Sequence, residues 1–246
     1  MKTEAVSRRE ALGMLGAAGA VALTGGRLGA GREPGRPGGV WHALDCVVTP
    51  EQTEGPYFVD EPLHRADIRV EPGTNAIKEG LPLRLGINVS RVDGTVCVPL
   101  KGAQVDVWQC DALGVYSDVR DFQGRFDTRG EKFLRGYQVT DHAGASEFVT
   151  IYPGWYPGRA VHIHFKIRVP DGERRAREFT SQLYFDEAIT DQVFARSPYS
   201  TLGARDTRNE RDGIFRGNGS GSQLLLRLRP EAQGYLGTFN VGLRMS

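Results

Sequence analysis

Cysteine is scarce in this chain: Cys46, Cys97 and Cys110 are the only three among 246 residues. None belongs to a Cys-x-x-Cys pair, so they are not spaced as a zinc site. Three cysteines allow one disulfide and one free thiol, and the sequence does not choose the pair. Also missing is any uninterrupted apolar run long enough to span a membrane. Net charge is only +1, with acids and bases interspersed. That leaves no basic patch to suggest nucleic acid and no acidic tail to suggest disorder. Helix signals are almost absent, with one short candidate at residues 191–195. No internal repeat appears.

What is present points to strands. Glycine is plentiful, 32 residues, which suits many turns. Leu83, Leu85, Ile87 and Val89 alternate with Arg84, Gly86, Asn88 and Ser90, the pattern of a half-buried strand. Further strands are predicted at residues 103–108, 136–140, 147–151, 179–185 and 224–228, and around Phe239, Val241 and Leu243. Strands at this spacing predict an all-β domain, a sandwich of two antiparallel sheets with long loops and few short helices. It would occupy residues 45–246.

The N-terminal residues read differently. Ser7-Arg8-Arg9-Glu10-Ala11-Leu12 is a paired-arginine motif, followed by a run of Ala, Gly, Leu, Val and Met. A charged region before a weakly apolar one is the pattern of a bacterial twin-arginine export signal. Residues 1–30 are expected to be that signal and 31–44 a Gly/Pro-rich linker. The protein is then expected in the periplasm or outside the cell.

The densest chemistry lies in Val161-His162-Ile163-His164-Phe165-Lys166-Ile167-Arg168-Val169. Strand side chains alternate faces, so His162 and His164 point one way and the apolar residues the other. Two imidazoles roughly 6–7 Å apart along a strand can reach one ion. A pair of histidines at this spacing also occurs as ordinary surface residues, so the pair alone does not identify a metal. The preceding Ile151-Tyr152-Pro153-Gly154-Trp155-Tyr156-Pro157-Gly158-Arg159 is a shaped loop feeding the strand.

Four blocks carry a resemblance. They are Thr49-Pro50-Glu51-Gln52-Thr53-Glu54-Gly55-Pro56-Tyr57-Phe58, the segment 102–117 with its Gly114-Val115-Tyr116-Ser117, the segment 148–165, and Phe179-Thr180-Ser181-Gln182-Leu183-Tyr184-Phe185. In this order they resemble the core of the intradiol ring-cleavage dioxygenases, the family of protocatechuate 3,4-dioxygenase and catechol 1,2-dioxygenase. The resemblance covers about residues 46–200 and is loose beyond. It implies one non-haem Fe(III) per chain held by Tyr116, Tyr156, His162 and His164. Two phenolates are hard anionic donors that favour Fe(III), and imidazole suits iron generally. Tyr152 stands as the second phenolate if the loop register differs.

The same resemblance implies catalytic roles for Arg159, Gln182 and Tyr156, and a substrate wall of Thr53, Glu54, Gly55, Pro56, Tyr57 and Trp155. Arg159 would stabilise negative charge beside the substrate. Tyr156 would leave the iron as a catechol binds. Glu54 could instead be structural. The implied reaction joins a catechol and O2 and opens the ring between its hydroxylated carbons to a cis,cis-muconate. Two departures bear on the substrate. The family's usual Trp-Arg-Pro-Ala is here Gly158-Arg159-Ala160-Val161. The long helical N-terminal segment of catechol 1,2-dioxygenases is replaced by the signal and linker. A homo-oligomer is left open. The rival reading is an exported β-sandwich module that binds aromatics or sugars without turnover.

Overall fold

The computed structural model describes residues 47–171, 174–217 and 220–244. The expected signal, the linker and Cys46 lie outside the described residues. Among the described residues, alternating sequence builds nine strands: β1 Pro82–Asp93, β2 Val96–Pro99, β3 Gln104–Trp108, β4 Arg135–Val139, β5 Ala145–Ile151, β6 His162–Asp171, β7 Arg174–Tyr184, β8 Arg227–Glu231 and β9 Gly234–Arg244. They form two sheets, as the alternation predicts. One has the order β2-β1-β9-β8, with β5 also paired to β1, and the other the order β4-β3-β6-β7. Odd-numbered residues of β1, β3, β6 and β9 face inward between the sheets. Leu85, Ile87, Val105, Ile163, Phe165 and Val241 are buried in one core there. Phe165 of β6 meets Phe239 of β9 across the layers, ring centroids 6.2 Å apart.

Three expectations need correction. The sheets are not wholly antiparallel, because β1 runs parallel to β9 over ten register pairs. A parallel pair needs a long crossover, and most of the domain supplies it. The strand expected at 224–228 starts later: residues 221–224 form a 3₁₀ turn and β8 begins at Arg227. The helix α1 spans Glu187–Phe194, four residues earlier than expected at its start. Its signal is Asp186, whose carboxylate accepts from Ala188 N and Ile189 N at the N-cap. A second short helix, α2, Gly213–Arg216, is capped in the same way by Asp212. Cys97 is disulfide-bonded, while Cys110 is a free, buried thiol. Cys110 is therefore in no pair.

Candidate metal centre

The outward face of the β4-β3-β6-β7 sheet is polar and sets half of the centre. Trp108 pairs with Arg135 on one side and His164 on the other, and His164 pairs with Gln182. One step along, His162 pairs with Tyr184. These residues share a face because register carries side-chain direction across strands, and a one-residue slip would turn all of them inward. Trp108 lies flat on the His164 ring, centroids 5.0 Å apart and planes at 8°. The stack fixes the plane of that imidazole.

Two loops bring the other half. Tyr116 follows β3, and Tyr156 sits between β5 and β6. The loops meet backbone to backbone at two glycines. A Cβ on Gly114, where φ is +78°, would lie 2.3 Å from Trp155 O. A Cβ on Gly154 would lie 2.6 Å from Asp111 O. Only glycine permits both contacts. Gly154 N donates to Asp111 O at 3.0 Å and seals the pair.

The four expected ligands converge. Tyr156 Oη is 3.1 Å from His162 Nε2, which is 3.0 Å from His164 Nε2. The Tyr116 ring is 5.7 Å from that of Tyr156 and 6.3 Å from that of His164. Tyr152 lies elsewhere, its hydroxyl against Thr190 Oγ1 and its ring against Phe185. His162 Nδ1 is 2.6 Å from Ala160 O. A carbonyl can only accept, so Nδ1 carries the hydrogen and Nε2 presents a lone pair to the centre. Burial pushes both imidazoles well below their usual range, with Arg159 acting the same way on His162 and the other imidazole and Arg159 on His164. Burial also pushes the Tyr116 phenol well up and the Tyr156 phenol up to about 12.

This donor set fits a hard, highly charged cation. Tyr116 Oη is buried with no hydrogen-bond partner. An orphaned buried hydroxyl is costly, and a cation would satisfy it as phenolate. Among the described residues no group of three or more His, Cys, Asp and Glu is placed to hold a metal. Any ion here rests on mixed phenol and imidazole donors.

Arg159 stands beside the four. Its Nε donates to Asp212 Oδ2 at 2.9 Å, its Nη1 is 3.4 Å from His162 Nε2, and its Nη2 donates to Gln182 Oε1 at 2.5 Å. Gln182 Nε2 donates to Thr53 O at 2.8 Å, tying that loop to the same network. Tyr184 Oη lies 3.0 Å from both Gln182 Oε1 and Gln52 Oε1. The expected wall divides. Gly55 lies against His164, where an added Cβ would be 3.2 Å from Cε1. Glu54 ion-pairs with Lys166 Nζ of β6, not with amides of its own loop. Tyr57 stacks on Tyr116 at 4.5 Å and donates to Asp121, which Arg125 also holds. Thr53 and Pro56 are exposed. Trp155 packs on the inter-sheet core, apart from the Tyr57, Trp108, Tyr116 and Tyr156 cluster.

Sequence reasoning did not find Trp108, Tyr184, Gln52 or Asp212. Tyr184 had a signal, since it lies two residues from Gln182 on the same strand face. Asp212 had none beyond being a capping residue type.

Fold and centre together define a β-sandwich protein with a buried tyrosine–histidine cluster. A family model described as Dioxygenase matches residues 53–216. The chain is 30% identical over 129 residues to catechol 1,2-dioxygenase of Candida albicans, covering 44% of this chain and 41% of that one. It is 30% identical over 167 residues to the protocatechuate 3,4-dioxygenase beta chain of Burkholderia cepacia, covering 63% and 69%. The chain thus spans less than half the length of the Candida relative. Among solved structures, an intradiol ring-cleavage dioxygenase from Tetranychus urticae superposes with a TM-score of 0.68 at 33% identity, covering 81% of this chain and 95% of that one. The protein belongs to the intradiol ring-cleavage dioxygenase family.

Proposed function

We propose that the protein is a non-haem Fe(III) dioxygenase. It cleaves a catechol-type ring between its two hydroxylated carbons with O2, giving a cis,cis-muconate-type dicarboxylic acid. The observation that carries this reading is the approach of Tyr156 Oη, His162 Nε2 and His164 Nε2 within 3.1 Å steps, beside an unpartnered Tyr116 Oη. Tyr116, Tyr156, His162 and His164 would hold Fe(III), which would supply Lewis acidity toward a catechol substrate.

The chain's residues do the rest. Tyr156 is the most exposed of the four at 9%, against 0–2% for the others. Its Oη is the proton acceptor for a catechol hydroxyl at the open side of the centre. Arg159 supplies a fixed positive charge where the ring and oxygen atoms gain negative charge. Gln182 has both ends engaged, so it acts by holding Arg159 and the Thr53 loop. Gly55 and Tyr57 close over His164 and Tyr116 and keep water out.

The paired arginines support export by the twin-arginine route, and the disulfide at Cys97 is compatible with an oxidising compartment. Such a protein meets catechols outside the cytoplasm, including larger substituted ones. The test is a visible spectrum of iron-loaded protein, before and after catechol under nitrogen. A tyrosinate-to-iron band that moves to longer wavelength, followed by ring-opened product on admitting air, is expected. A colourless protein holding zinc or no metal would sink the reading and favour a binding module.

A further inference from the structure

Asp212 lies far along the chain from the histidine strand, yet its carboxylate reaches the centre. The side chain is fully buried, and both oxygens are engaged. Oδ2 accepts from Arg159 Nε at 2.9 Å and from Ala160 N at 2.8 Å. Oδ1 accepts from Ile214 N at 2.7 Å and Phe215 N at 3.2 Å. One end of the carboxylate therefore caps α2. The other grips the guanidinium and the residue whose carbonyl orients His162.

We propose that Asp212 is a positioning residue for Arg159. The guanidinium has five donors in a rigid plane. Left to itself, a long arginine side chain samples many rotamers. Partners on different elements fix it here: Asp212 at Nε, and Gln182 with Tyr184 of β7 at Nη2. The remaining Nη1 is thereby held 3.4 Å from His162 Nε2. The Asp212 charge compensates Arg159, so the cation is buried without standing unpaired. Asn cannot replace it. Four N–H donors converge on the two carboxylate oxygens, and an amide would turn its own N–H₂ toward one pair of them.

The kinetic part of the test rests on the function proposed above. Asp212→Ser keeps a hydroxyl able to cap α2 and loses the charge and the reach to Arg159. Turnover number is expected to fall roughly 10- to 100-fold, the scale of a misplaced catalytic group, with iron content close to that of the parent and a lower melting temperature, because Arg159 loses its buried counter-charge. In an Arg159→Gln background the same change should have no further effect. Turnover within twofold of the parent, or an equal fall in both backgrounds, would overturn the proposal.

A second readout needs no activity. In ¹⁵N-arginine-labelled protein the Arg159 Nε–H signal is expected to be protected from exchange in the parent and unprotected in Asp212→Ser and Asp212→Asn. Equal protection in parent and variants would overturn the proposal. If the parent fails to cleave catechol, the function reading falls alone and this signal still decides the role of Asp212. Should the variants not fold, Nε–H exchange in the parent alone decides: a signal as fast as that of an exposed arginine would overturn it.

Discussion

The outward face of β6 carries two pairs of polar residues that look alike in sequence and differ in the fold. His162 and His164 lie at one end, Lys166 and Arg168 at the other. The second pair is compensated. Lys166 meets Glu54, and Glu178 at 3.5 Å, over the Phe58 ring. Arg168 meets Asp60 at 2.9 Å, and its Nε, which has no hydrogen bond, still has Asp106 at 3.6 Å. The first pair is left incompletely satisfied: His164 Nδ1 has no hydrogen-bond partner, and neither has Tyr116 Oη beside it. Scaffold and site are thus separated by polar satisfaction, not by residue type or spacing.

The sharpest contrast is with the inward face. Phe165→Ala removes a fully buried ring packed against Phe179 and Phe239. A loss of about 3–5 kcal/mol in denaturant unfolding is expected, with one iron per chain retained in the folded fraction. His164→Ala should do the reverse. On the proposed function, iron at one hundred times its dissociation constant would stabilise the parent by about 2.7 kcal/mol. In the variant, adding iron should leave the melting temperature unchanged and the visible band absent. A variant that kept both would erase the distinction between the two ends of the strand.

Lys166→Met keeps the stem over Phe58 and removes the charge that holds Glu54. Because Glu54 and Glu178 are well exposed, a cost of only about 1 kcal/mol is expected. The looser Gly55 segment should raise KM for catechol more than it lowers kcat. Arg168→Met lies furthest from the centre and should change stability by about 0.5 kcal/mol or less, with kinetics unaltered. If Arg168→Met disturbed turnover as His164→Ala does, the division of this face would be wrong.

What is legible in the amino-acid sequence depends on range. The strand alternation at 83–89 and 161–169 is local, and the sheets follow it. Tyr116, Tyr156, His162 and His164 stand in short motifs, and the fold brings those motifs together. The parallel pairing of β1 with β9 is not local, so nothing in either strand announces it. Asp212 reads only as a cap, because its second set of partners lies in a turn more than fifty positions earlier. The place of Trp155 was obscured by adjacency. In an extended loop neighbouring side chains point apart, so Tyr156 enters the centre while Trp155 turns to the core.

The parallel β1–β9 pair also shapes how the molecule comes into being. Strand β9 is the central partner of β1 and is made last among the described strands, so the first sheet has no complete middle until residues 234–244 have been made. Contacts of such long sequence separation slow folding, because the loop must close before any pairing rewards it. A nascent chain stalled before residue 234 would leave the backbone edge of β1 unpaired and the core face that carries Leu83, Leu85, Ile87 and Val89 incompletely covered, an invitation to chaperones and proteases. Assembly of the first sheet is therefore gated by the ribosome reaching β9.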